Sequence, residues 1–394
     1  MTIHPRRQRG LSLIELMVAL VIGSVLVLGL IQVFGASRAA YQLSEGMSRV
    51  QENARFAMDF LQRDIRMAGH FGCVNDQAHW VRGEGDPALH VDVGSAPIGH
   101  PLNFALSVQG YEANDTAPAD TVTVGAPEAG WTPGLPAAIA TLRPAPIAGS
   151  DIIALRFLGR RGTPVTAITD SAGVETITFP AAGWEGLTEE GVAAPTLFGI
   201  ADCAHANVFP GAGAAGAVTV GAASPPTDLV ARYTPHPSGQ TSLYRAESLV
   251  YYVGLNVNGL PALYRARADG AGEYGVEELV EGIESLQLLY GQDQTTQLSS
   301  STPPVGSVAE QYTAEGILAG GGSDAAIENA WRRVGQVQVG ILASSPLPAA
   351  AVQSAGGPLP SVLGVVFAPP ETHDGRLRVG YETTVALRNR LFGN

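Results

Sequence analysis

Residues 16–34, LMVALVIGSVLVLGLIQVF, carry no charged side chain. As a helix, a run of about 19 such residues is long enough to cross a bilayer. Arg6, Arg7 and Arg9 precede it, and no acid occurs in residues 1–10. Basic residues stay on the cytoplasmic side, so everything after the run is expected beyond the inner membrane. An ordinary secretory signal cut near residues 36–40 is the alternative, but its apolar core normally holds only about 7 to 15 residues.

The pattern does not stop where a membrane would. Apolar or small residues continue as Ala36, Ala40, Leu43, Met47, Val50, Ala54, Ala57, Leu61, Ile65 and Ala68, almost throughout in steps of three and four. Those steps trace one stripe on one helix. Arg38, Glu45, Arg49, Glu52, Asp59, Arg63 and Asp64 fill the other faces, and Gly69 offers a stop. The spacing predicts one helix over residues 11–68, about 87 Å long. Residues 11–34 would lie in lipid. Residues 35–68 would lie against a globular domain that buries the stripe from Ala40 onward.

Glu15 stands at the head of the apolar run. A carboxylate in a membrane helix costs a few kcal/mol, so it is expected to be paired or functional. A cut after Gly10 would give Leu11 a free α-amino group four residues away, on the same chain or on a neighbour packed alongside in lipid. Helix polarity also favours negative charge in the first turn.

The run RG followed by LSLIELMVALVIGSVLVLGL closely resembles the class III leader of type IV pilins and pseudopilins. The resemblance implies cleavage after Gly10 by prepilin peptidase, methylation of Leu11, and a role for Glu15 in registering subunits as they join the filament. Leu11 departs from the Phe usual at that place in the family. The segment FLQRDIRMAGHFGCV (60–74) is similar to the helix end of the PilW family of type IV pilus minor pilins. SLVYYVGLNVNGLPALYRAR (248–267), EELVEGIESLQLLYGQD (277–293), WRRVGQVQVGILASS (331–345) and RVGYETTVALRNRL (378–391) agree with it. The resemblance leaves residues 75–240 and 294–330 unplaced.

It implies a non-catalytic subunit of a tip or priming complex that starts pilus assembly and helps to present a tip adhesin. The implied partners are other minor pilins, the major pilin, prepilin peptidase and the inner-membrane assembly platform. The headgroup would be periplasmic before assembly and extracellular afterwards. A J-type minor pseudopilin of a type II secretion system shares the end segments and stands as the alternative. A membrane-anchored periplasmic enzyme or binding protein housed in residues 75–240 is the third reading.

Composition narrows the chemistry. All 23 basic residues are Arg, which excludes mechanisms that need a P-loop lysine or a lysine Schiff base. After Gly10 the chain holds 20 Arg against 36 acids, a net charge of −16 that would repel nucleic acid. Cys73 and Cys203 are the two cysteines; an oxidising compartment would join them, and two separate buried thiols is the alternative.

No cofactor, metal or catalytic constellation is expected. A zinc set assembled from Cys73, His79 and Asp202–His205 lacks the spacing of a known module. The adjacent acids Glu189-Glu190 and Glu277-Glu278 read as solvated or capping groups. Asn114-Asp115-Thr116 fits a glycosylation sequon, a triplet common by chance. Tyr244, Tyr251, Tyr252, Tyr264 and Tyr290 read as sheet packing.

The fold class expected is α+β, a long helix packed on an antiparallel β-sheet headgroup that spans residues 69–394. Residues 250–255 and 260–266 form a hairpin through Asn258-Gly259. Val337, Val339 and Ile341 mark a strand with one buried face, and residues 383–387 a short closing strand. The Gly, Pro and Ala rich stretches 113–149, 206–228 and 345–370 read as long loops or an inserted subdomain, within an insertion at about 75–240.

Overall fold

A computed structural model of the chain describes residues 12–75, 89–91, 96–125, 130–220, 228–296, 304–319, 322–349, 358–370 and 374–390. Gly10, Leu11 and His79 lie outside the described residues.

One helix, Leu13–Met67, runs for 55 residues, about 82 Å. It ends where the backbone turns left-handed at Gly69, φ +75°. The Asn389 side-chain amide closes that end by donating to the carbonyls of Arg66, Met67 and Ala68 at 3.1, 3.4 and 3.3 Å. These are carbonyls that a helix end otherwise leaves without partners.

The stripe has the predicted phase but not the predicted extent. Burial begins at Gly46 and continues through Val50, Ala54, Ala57, Met58, Leu61 and Ile65. Ala40 is exposed and Met47 is 37% exposed, so the headgroup does not cover the helix from Ala40. The reason is geometric. Ala349 packs against the helix at Gly46, where a Cβ added at Gly46 would sit 2.7 Å from the Ala349 Cβ. Gly46→Leu is expected to cost about 1–3 kcal/mol of headgroup stability through overpacking, despite the better helix propensity. Denaturant unfolding of the full chain in detergent checks this; an unchanged midpoint would refute it.

The helix lies across two sheets. The smaller runs Val308–Tyr312, Ile283–Asp293, Val334–Ser344, Arg378–Ala386, all antiparallel. The larger has thirteen strands branching about the 14-residue strand Ser242–Leu255. One core joins helix and sheets: Val50, Ala54, Leu61 and Ile65 meet Tyr251, Leu263, Leu286, Val339 and Ile341. Two short pairings are parallel, Leu89–Val91 with Ala206 to Val208 and Thr121–Thr123 with Val366 to Ala368. The remaining ladders among the described residues are antiparallel, and the class is α+β as expected.

Several local readings reappear. Ser242–Leu255 and Pro261–Ala268 form the hairpin, with Gly259 at φ +72° in its turn. Val337, Val339 and Ile341 are buried. Beyond Val339 the other face of that strand is covered as well, because Val362 and Phe367 pack on Leu342 from a small third sheet. The closing strand is longer than expected, Arg378–Ala386, because ion pairs to Glu284 let Arg378 enter the core.

The middle of the chain is built onto the long strand. Val108–Ala113 and Ile152–Leu158 extend it on one side; Leu197–Ala201, Ala206–Ala214 and Ala217–Val220 extend its first half on the other. This second branch has its own core of Val165, Ile177, Phe179, Phe198, Phe209 and Leu243. Of the two readings left open for 206–228, long loop or inserted subdomain, the strands Ala206–Ala214 and Ala217–Val220 favour the second. The small residues serve packing here, since a Cβ at Gly213 would lie 2.9 Å from the Trp184 ring.

Candidate functional site

Two regions of the long helix carry the features that could act in assembly. The first is its N-terminal end. From Leu13 to Phe34 the large apolar side chains are at least half exposed, from 52% at Leu16 and Val18 to 75% at Leu13. This half is long and apolar enough to cross a membrane. Ser12 caps the helix and Glu15 sits three residues on, and the two side chains satisfy each other's backbone. The Ser12 hydroxyl accepts from the Glu15 N–H at 3.2 Å. The Ser12 N–H and hydroxyl both donate to Glu15 Oε2 at 3.0 Å. Ser-x-x-Glu ahead of an apolar run is a capping box, a signal present in the sequence that the reading of Glu15 through Leu11 passed over.

The second region is the helix's last two turns. Asp64, expected on a polar face, is 4% exposed. Its Oδ2 accepts from the Tyr251 hydroxyl at 2.5 Å and lies 3.3 Å from Arg265 Nη1; its Oδ1 accepts from Arg63 Nε at 2.9 Å. Glu190 bridges Arg63 at 3.0 Å and Arg265 at 3.3 Å, Glu277 pairs with Arg265 at 3.0 Å, and Glu189 pairs with Arg161 at 2.6 Å. Of the adjacent acids, Glu189, Glu190 and Glu277 are thus salt-bridge partners rather than merely solvated or capping groups, whereas Glu278 accepts from the Tyr264 hydroxyl at 3.0 Å. The cations that Glu190 meets, Arg63 and Arg265, lie far away in sequence, which is why spacing gave no hint of them, whereas Arg265 faces Glu277 across neighbouring strands. Glu247 adds Arg245 and Arg267 to the same network. Helix, sheet and middle region are held together here by charge.

Just past the helix, Cys73 is joined to Cys203, with Cα atoms 4.6 Å apart. Both thiols are used, so neither is left for a metal. The Asp202 carboxylate accepts the N–H groups of Ala204 and His205. Thr116 of the sequon is buried, and Asn114 accepts a hydrogen bond from Thr132. Tyr251, Tyr252, Tyr264 and Tyr290 are buried as sheet packing, and Tyr244 is partly so.

A pair of buried carboxyls was not foreseen. Asp151 accepts the amides of Ala113 and Leu288, both at 2.8 Å. Glu112 accepts that of Ala314 at 3.3 Å. Burial pushes the Glu112 carboxyl up, and the neighbouring Asp151 pushes it further. Burial raises Asp151 too, against the pull of its two amides. Folded values above unfolded ones mean that the native state holds more protons than the unfolded chain. Stability from this pair is therefore full below the ordinary carboxylate range and lost as pH rises through neutral towards alkaline values. Urea midpoints are expected to fall between about pH 5 and about pH 9, and Glu112→Gln to flatten that slope. A variant slope equal to that of the wild type would contradict this assignment.

Comparison with known proteins bears on both regions. Residues 250–389 match the family described as Type IV Pilus-assembly protein W, and residues 5–31 match the prokaryotic N-terminal methylation motif. The chain is a type IV pilin-like protein with a PilW domain and an N-terminal methylation motif. The methylation motif spans Gly10, Leu11 and Glu15, and with the apolar helix it fits membrane anchoring as a pilin. The PilW match begins inside the strand Ser242–Leu255. It therefore takes in the small sheet on which the helix rests, and leaves the middle region outside. The family matched over residues 250–389 is one of pilus assembly, not an enzyme family. A type IV-like pilin from Thermus thermophilus is similar at 16% identity over 37% of this chain and 67% of its own. Its TM-score of 0.20 is too low to support an argument about this headgroup. No curated protein matches the chain.

Proposed function

We propose that this protein is a minor pilin of a type IV pilus. Prepilin peptidase cuts after Gly10 and methylates Leu11. The helix stores the subunit in the inner membrane with its headgroup in the periplasm, until the assembly platform inserts it with other minor pilins and the major pilin. It acts without catalysis, as a structural part of the tip or priming complex that starts assembly and helps to present a tip adhesin.

The observation that carries this reading is the helix itself. One end is bare, apolar and headed by a carboxylate, and the other is locked into a large headgroup. A bare end needs neighbours in lipid or in a filament. The bulk added by the middle region suits a tip or a sparse position, where fewer neighbours crowd the headgroup. The test is mass spectrometry of the protein's N-terminus from membranes and sheared pili, with counting of surface pili after gene deletion. A peptide starting at methylated Leu11, together with loss of pili, supports the reading. An intact Met1, or a cut near residues 36–40, would overturn it.

A further inference from the structure

Two short helices, Ala314–Leu318 and Asp324–Arg332, close against the ends of the strands Ile283–Asp293 and Val308–Tyr312 and leave a cavity of 410 Å³ between them. Its floor is apolar: Ile317 belongs to the core under the long helix, and Leu318 and Ile327 pack against that core. Two polar side chains line it, Asn329 in the second helix and Arg333 just past its end, four residues apart and so neighbours on one face. Asn329 Oδ1 is buried and accepts nothing, while its amide nitrogen donates to the Thr296 carbonyl at 3.4 Å. Arg333 gives Nε and Nη2 to the Asp293 carbonyl, at 3.2 and 2.7 Å, and its Nη1 has no acceptor among the described residues. Nor does it make an ion pair there. The Asp293 carboxylate is taken by the amides of Thr295, Val305 and Gly306, and Glu328 pairs with Arg332. In a chain whose acids outnumber its arginines 36 to 23, a guanidinium without a carboxylate beside an apolar cavity is an anion site in waiting.

An unmet acceptor and an unpaired cation above an apolar floor match a ligand that carries an N–H donor, a negative charge and an apolar group close together. A fatty acid lacks the donor, and inorganic phosphate lacks the apolar group. The last residue of a polypeptide has all three on one Cα. We propose that this cavity binds a peptide C-terminus. The carboxylate meets Arg333 Nη1, the N–H of the last residue meets Asn329 Oδ1, and an apolar last side chain lies over Ile317, Leu318 and Ile327. The site stands apart from the filament reading above. A short free peptide and the chain end of a neighbouring protein offer the same chemistry.

Calorimetric titration of the full chain in detergent tests this with the tripeptide acetyl-Ala-Ala-Leu, its C-terminal amide, and a small carrier protein ending in Ala-Ala-Leu. The free acid is expected to bind roughly tenfold or more tighter than the amide, the loss of one hydrogen bond to a charged group. Arg333→Gln is expected to erase that preference. Ala326 is exposed and lines the cavity without a polar role, so Ala326→Trp should fill it and abolish binding while the urea midpoint stays near wild type. That second variant keeps the test alive if Arg333→Gln fails to fold. Binding of the carrier supports a protein chain end as the ligand, and binding of the tripeptide alone supports a short free peptide. Equal affinity for acid and amide would overturn the proposal, as would binding that survives Ala326→Trp or no binding of the acid at millimolar concentration.

Discussion

Asp64→Ala is expected to destabilise the headgroup by about 3–5 kcal/mol, the cost of leaving a buried charge without its partner. Arg265 is 3% exposed and reaches Asp64, Glu190 and Glu277, of which Asp64 is the one buried with it. The Tyr251 hydroxyl loses its acceptor in the same substitution. Asp64 comes from the helix, Tyr251 and Arg265 from the hairpin, and Glu190 from the middle region, so the damage falls where three parts of the chain meet.

Urea unfolding of the full chain in detergent measures this, and the double variant Asp64→Leu/Arg265→Leu provides the control. Replacing both partners by apolar groups of similar size removes the desolvation penalty with the attraction, so the double variant should recover much of the loss. A cost below about 1 kcal/mol for Asp64→Ala would show that the pair behaves like an exposed one.

Cys203→Ser is expected to cost about 5 kcal/mol, because the bond to Cys73 closes a loop with a sequence separation of 130 residues. The bond ties the segment just past the helix to the far branch of the large sheet. Its loss should be felt most in that branch, whose core of Phe198, Phe209 and Ile177 is separate from the one under the helix. Unfolding with and without reductant tests the effect: the wild type should fall to the stability of Cys203→Ser under reduction, and the variant should not respond. Equal stability of oxidised and reduced wild type would refute the assignment.

Much of the helix and several strands were legible in the residues. The phase of the stripe through Val50, Ala54, Ala57, Leu61 and Ile65, the stop at Gly69, and the hairpin at Asn258-Gly259 all follow from contacts within a few residues. The hand of each is set by backbone sterics and the 3.6 or 2 residue repeat. The Ser12 capping box belongs to the same local grammar, although the reading centred on Leu11 did not use it.

The rest required the folded chain. Asp64 meets Tyr251 across 187 residues and Arg265 across 201. Glu112 lies under the Ala314 amide across 202. No periodicity connects such groups. A charged side chain on a helix reads as exposed until something is known to lie over it. Likewise the Gly and Ala of residues 206–214 leave loop and inserted subdomain equally open until Trp184 and Phe198 are seen packed on them.

Short-range chemistry in the sequence therefore specified an anchored helix, its buried face and the hairpin it meets. Tertiary structure alone decided that cover begins at Gly46, which charges are buried, and that the middle region joins the sheet. Those outcomes depend on which distant surfaces exclude water from one another, and desolvation is a property of the assembled chain.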